Sequence, residues 1–125
     1  MTRTLIKKQL SRHFSATPVV SPGVVVVGGG RMGGIRLSAL SRNPKAQLAG
    51  FVDASEEIRA RVSSEYGIPT FADLKDAVTA TDAKAVWISA PTFTHMPLIA
   101  DAVECGVHIA TEKPVSESLS EINKW

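Results

Sequence analysis

Four consecutive valines, Val24 to Val27, run straight into Gly28-Gly29-Gly30, and this junction leaves few folds open. An unbroken β-branched run with no polar alternation is the pattern of a strand buried on both faces. Such a strand needs helices above and below its sheet. The next segment supplies the first of them: Met32, Ile35 and Ala39 have helical spacing, and Asn43-Pro44 punctuates the end, so a helix is predicted from Met32 to Arg42.

The alternation continues along the chain. Leu48 to Asp53 reads as a second strand, and Ile58, Val62 and Tyr66 mark a helix that Gly67 closes. A short strand at Thr70-Phe71 precedes a helix from Asp73 to Thr79, with Leu74 and Val78 one turn apart. Ala85 to Ala90 is the fourth strand. Leu98, Ile99, Ala102 and Val103 are expected to face the core from a fourth helix ended by Gly106, before a fifth strand from Val107 to Thr111. Ser118-Leu119-Ser120-Glu121 has capping-box spacing and starts a last helix. Strands and helices in alternation with short links specify an α/β domain with a parallel, doubly wound sheet, whose ligand site lies beyond the carboxyl ends of the strands. The predicted strand order is 3-2-1-4-5.

Gly28-Gly29-Gly30-Arg31-Met32-Gly33 fits G-x-G-x-x-G in a single register, between strand and helix, which is the context that makes the pattern a dinucleotide fingerprint of the Rossmann type. Gly28 permits the tight turn, Gly30 removes a side chain where a pyrophosphate must approach, and Gly33 lets helix and strand pack closely. Backbone N–H groups around Arg31 and Met32 then face the phosphates. Asp53 ends the second strand twenty residues after Gly33, where a carboxylate accepts both hydroxyls of the adenosine ribose. A 2′-phosphate would be repelled there, and no arginine follows until Arg59, so NAD is the expected cofactor and NADP the less favoured one. Taken singly, the glycine run reads as a flexible turn and Asp53 as a helix cap.

Composition narrows the class. Apolar residues make up 44% of the chain, but no run approaches the roughly eighteen residues of a membrane span. One cysteine, Cys105, excludes an intrachain disulfide, and its place at the end of an apolar helical pattern argues for packing and against a reactive thiol; no metal site is expected. Residues 1–52 carry eight Lys or Arg and no acid. Half of those cations lie in the first twelve residues with no aromatic interleaving, which argues against nucleic acid. Residues 1–22 instead have the composition of a transit peptide, with Ile6, Leu10 and Phe14 as a narrow apolar stripe and Arg12-His13-Phe14-Ser15-Ala16 as a processing site. The expected location is the mitochondrial matrix; a basic arm without targeting role, on a cytoplasmic protein, is the alternative.

Ala90-Pro91-Thr92-Phe93-Thr94-His95 follows the fourth strand and Thr111-Glu112-Lys113-Pro114 the fifth, with Glu65-Tyr66-Gly67 and Gly106-Val107-His108 between the earlier elements. In this order and spacing they resemble the glucose-fructose oxidoreductase and inositol dehydrogenase family, Gfo/Idh/MocA, over Val24 to Trp125. The resemblance implies that Lys113 lies beside the nicotinamide and assists proton transfer at the reacting hydroxyl or carbonyl. Ala90, Pro91, Thr92, His95 and Glu112, with Lys113, are then expected at the cofactor. The competing readings are a solvated Lys113 paired with Glu112, Thr92 or Thr94 as a helix cap, and His95 exposed in the first helical turn. Arg36 departs from the family, which often has histidine there.

The resemblance also implies a sixth strand and a C-terminal substrate domain that this sequence lacks. The chain is therefore expected to be the truncated cofactor half of an NAD(P)-dependent oxidoreductase moving hydride between nicotinamide and a sugar, polyol or related secondary alcohol. By itself it would bind the dinucleotide with little turnover. Its open sheet edge would favour a homo-oligomer. The alternatives are a non-catalytic sensor or partner subunit, and a fragment of a longer enzyme.

Overall fold

The computed structural model describes residues 21–124. All of the expected address segment except Ser21 and Pro22 lies outside the described residues. Strand β1 (Gly23–Val27), helix α1 (Arg31–Ser41), β2 (Gln47–Val52), α2 (Glu56–Tyr66), β3 (Thr70–Phe71), α3 (Leu74–Thr81), β4 (Ala85–Ile88), α4 (His95–Glu104), β5 (His108–Thr111) and a short α5 (Leu119–Ile122) follow in order. A 3-10 turn, Thr92–Thr94, leads into α4. The five strands are all parallel and stand in the expected order β3-β2-β1-β4-β5.

The valine run explains the layering. Val25 and Val27 face one core with Leu74, Ala77, Val86, Ile88 and Ala102, while Val24 and Val26 face the other with Leu37, Phe51 and Val62. A central strand buried on both sides has no room for polar alternation. Each fully buried aliphatic side chain here stabilises the fold by about 1.5–3 kcal/mol before entropy is subtracted.

The helix ends follow local chemistry. Ser55 accepts from the Ile58 amide to start α2, and Gly67, at φ 64°, closes it in the left-handed conformation. Asp73 caps α3 through the Asp76 amide, so that helix begins at Leu74 and runs on to Thr81. Ser118 accepts from the Glu121 amide at 3.3 Å, giving one arm of the capping box. The second arm is diverted, because the Glu121 carboxylate takes the Ser116 hydroxyl instead.

The apolar spacing does not fix the buried face of α1, and the expected face of α4 needs correction. Met32, Ile35 and Ala39 form the outer face of α1, and the buried face is Gly33, Leu37 and Leu40. Gly33 is buried against the Gly28 carbonyl just beyond β1, where no side chain fits, yet a count of apolar side chains passes over it. On α4, Val103 is 54% exposed, while His95, Met96 and Ala102 are buried and Leu98 and Ile99 pack half-buried beside them. The fourth strand also stops at Ile88, releasing Ser89 and Ala90 into the loop beyond it. Cys105 is half-buried against the α3/α4-side core.

Candidate dinucleotide site

The glycine turn is held by backbone. The Gly28 amide donates to Val52 at 2.8 Å and the Ser89 amide to Val27 at 2.7 Å, fixing the turn between β2 and β4. Gly28 has φ +98°, and a Cβ there would lie 2.7 Å from the Ala90 nitrogen. A Cβ on Gly33 would lie 1.8 Å from the Gly28 carbonyl oxygen. Gly30 is different: a Cβ there meets nothing within 4 Å. The protein itself requires the first and third glycines, whereas the second borders open space.

That space is the mouth of α1. No side chain caps the helix and its first turn holds no acid, in contrast to α2 and α3. Its leading N–H groups are thus left to an anion. Across the turn, Asp53 extends the end of β2; its Oδ2 accepts the Gly29 amide and its Oδ1 the Ser55 amide, both at 2.9 Å. Arg59 Nη1 donates to the carbonyls of Asp53 and Ala54 at 2.7 and 3.1 Å, and Arg61 Nη2 to that of Gly29 at 3.0 Å. The carboxylate is therefore placed before any ligand arrives, with lone pairs remaining for hydroxyl donors.

Glycine turn, Asp53 and the start of α4 enclose one crevice of about 920 Å³. Gly28, Gly30, Arg31, Met32, Asp53, Ala90 and Pro91 line it; Gly33, Thr92, His95, Glu112 and Lys113 do not. Ile58, Phe93, Pro97 and Leu98 also line it, and sequence reasoning missed them, because their apolar spacing reads as core or loop. Phe93 is 74% exposed, an aromatic face at the lip. The volume, the apolar walls and the side-chain-free turn fit an extended dinucleotide.

The lysine loop is built from its neighbours. Glu112 Oε1 accepts Arg36 Nε at 2.6 Å, Trp87 Nε1 at 3.1 Å and Ser89 Oγ at 3.4 Å. The Arg36 guanidinium also lies 4.7 Å from the centre of the Trp87 ring. Glu112 is thus paired with Arg36, not with Lys113, which is exposed and makes no salt bridge among the described residues. The Lys113-Pro114 bond is cis. His95 is only 1% exposed, and its ring nitrogens sit 2.9 Å from the Pro114 carbonyl oxygen and 2.8 Å from that of Ala90. It is neither at the crevice surface nor exposed in the first turn of α4. Thr94 Oγ1 donates to the Pro91 carbonyl at 2.6 Å, so it ties the turn and does not cap the helix.

A family model described as an oxidoreductase family with an NAD-binding Rossmann fold, GFO_IDH_MocA, matches residues 23–125. The chain belongs to the Gfo/Idh/MocA oxidoreductase family. It is 35% identical over 95 residues to an inositol 2-dehydrogenase of Arthrobacter sp., covering 74% of this chain and 28% of that protein. With human biliverdin reductase A it shares 32% identity over 112 residues, 86% of this chain and 36% of that one. Among solved structures, scyllo-inositol dehydrogenase from Lactobacillus casei with bound NAD(H) and scyllo-inositol superposes with a TM-score of 0.79 at 26% identity, over 84% of this chain and 32% of that one. The chain thus spans about a third of the length of these relatives. Within Gfo/Idh/MocA terms, what it holds is the NAD-binding Rossmann domain.

Arg36 was legible in the sequence only as a departure from the family; its partner, 76 residues away, was not. The pairing has a pH consequence. Donation by Arg36 holds the Glu112 carboxyl below its ordinary range, helped by Trp87 and Ser89 and opposed by burial. A carboxyl with a lowered folded pKa adds stability that is complete above its unfolded pKa and lost as pH falls towards the folded value. Glu112→Gln should therefore melt earlier than wild type near neutrality, with the gap narrowing as pH falls through and below the ordinary glutamate range. Thermal melts across that range check it; a gap that stays constant would show that Glu112 titrates alike in folded and unfolded chains.

Proposed function

We infer that this chain binds NAD in the crevice, with the diphosphate on the bare turn at Gly30 and the amides of Arg31 and Met32, and the adenosine ribose on Asp53. The carrying observation is the pairing of an open Gly30 with a pre-placed Asp53 carboxylate hydrogen-bonded to Gly29. NAD is favoured over NADP because a 2′-phosphate would meet that carboxylate with Glu56 and Glu57 close behind, while Arg59 is engaged by backbone carbonyls. The Ala90 and Pro91 end of the crevice takes the nicotinamide side, towards the loop that carries Lys113.

For the whole enzyme the reading is hydride transfer between nicotinamide and a secondary alcohol of a polyol or sugar, in line with the inositol dehydrogenases among its relatives. Bound NAD supplies the hydride acceptor. Lys113 stabilises the developing alkoxide and exchanges the proton of the reacting hydroxyl. Glu112 and His95 support this from behind the crevice surface, through Ser89 and Ala90.

Fluorescence titration tests the cofactor reading. The chain should bind NADH at least about tenfold more tightly than NADPH, since like charges forced together cost several kcal/mol. Asp53→Ala should weaken NADH and shrink that ratio towards one. General loosening of the turn, through the unpaired Gly29 and Ser55 amides, would weaken both ligands equally and leave the ratio unchanged. Equal binding of the two cofactors by wild type would remove the NAD preference, and no binding of either would remove the dinucleotide reading.

A further inference from the structure

Lys113 sits between two residues that are pinned, and the two anchors differ in kind. Glu112 is held through its side chain by Arg36, Trp87 and Ser89. Pro114 is held through its carbonyl by His95, whose other ring nitrogen reaches the carbonyl of Ala90. Ala90 lines the crevice and Pro114 adjoins Lys113. Two links therefore join the wall that receives the dinucleotide to the loop that carries the candidate proton-transfer residue: Ser89 to Glu112 on one side of Lys113, and one buried imidazole to Pro114 on the other.

The chemistry of that link is unusual because both partners are acceptors. An imidazole carries one N–H when neutral and two when protonated, so it donates to Pro114, to Ala90 or to both. These are discrete arrangements of a single buried group, and an element with discrete states that both sites bias is what physical coupling requires. A dinucleotide contacting the Ala90–Pro91 wall changes how strongly the Ala90 carbonyl competes for the proton. The tautomer balance, and with it the hold on Pro114, then follows occupancy of the crevice.

The geometry points to His95 as a positioning residue that couples dinucleotide binding to the placement of Lys113. The inference rests on the dinucleotide reading above. His95 touches neither the crevice nor the reacting atoms; it acts through Ala90 on one side and Pro114 on the other.

Two spectroscopic measurements on the 125-residue chain test it, with NADH as the probe. In wild type labelled with 15N-histidine, the ring nitrogens of His95 should shift when NADH is added, while those of His108, exposed on β5, stay put. In protein whose lysines carry 13C-methyl groups, the Lys113 signal, assigned with Lys113→Arg, should move on NADH addition. His95→Phe keeps the ring volume and removes both nitrogens; it should weaken NADH about tenfold and at least halve the Lys113 response at saturation. His95→Gln keeps an N–H near the Nε2 position, so it should recover the affinity without recovering the response. A purely structural histidine would not separate those two readouts.

An undiminished Lys113 response in folded His95→Phe overturns the coupling. Should that variant fail to fold, wild-type His95 nitrogens that ignore saturating NADH overturn it equally. In both cases NADH still binds, so the dinucleotide reading survives. If NADH does not bind wild type at all, that reading fails and the coupling fails with it.

Discussion

Gly33→Ala should destabilise the domain by about 3–5 kcal/mol, a large share of the roughly 5–15 kcal/mol that holds a small domain folded. The added Cβ would lie 1.8 Å from the Gly28 carbonyl oxygen and 2.7 Å from its carbon, so the clash is with backbone and no side-chain rotation relieves it. Gly28 cannot give way. Its amide is bonded to Val52, and Ser89 and Ala90 pack against its Cα. Helix α1 must instead lift from β1, loosening Leu37 and Leu40 from the core that they share with Val24, Val26 and Phe51. Urea unfolding followed by circular dichroism measures the loss. A midpoint equal to that of wild type would show that α1 and β1 are not packed at this distance.

This clash also explains which parts of the fold the chain announces. Val24 to Val27 demand a two-sided sheet, and each parallel step needs a crossover helix, so the parallel, doubly wound class follows from the alternation. The rotation of α1 does not follow from apolar side chains, because its closest contact is made by a residue that has none. Met32 and Ile35 look like a core stripe and lie outside it, at 38% and 46% exposure. On α4 the buried leading residue is a histidine, which no hydrophobic pattern would select.

The candidate site divides in the same way. Gly28, Gly30, Gly33 and Asp53 are legible because a local turn and a fixed spacing bring them together, and the structure places Asp53 in hydrogen-bond contact with the glycine turn. The Glu112 cluster joins α1, the end of β4 and the end of β5 across up to 76 residues, and no local periodicity encodes such a meeting. A charge pair of this kind shows in sequence only as an oddity, here an arginine on the first helix. His95 carried a similar weak signal: its position was conspicuous, but its two carbonyl partners depend on how two loops fold back.

Gly30→Val should leave the fold intact and weaken dinucleotide binding about a hundredfold, the opposite of the Gly33 result from three residues away. Gly30 has φ −72° and ψ −164°, extended backbone that any residue adopts, and a Cβ there meets nothing within 4 Å. The free protein therefore has no steric reason for glycine at this position, and thermal melting should shift by no more than about 0.5 kcal/mol of stability. The proposed diphosphate position supplies one, since a diphosphate held there would approach the uncapped α1 amides across that space. A branched side chain there would hold it off, and the affinity for NADH should fall about a hundredfold, equivalent to about 2.7 kcal/mol. Paired melting and NADH titration decide the matter: unchanged affinity would mean that the diphosphate does not rest on this turn, and a large loss of stability would mean that Gly30 serves the fold after all.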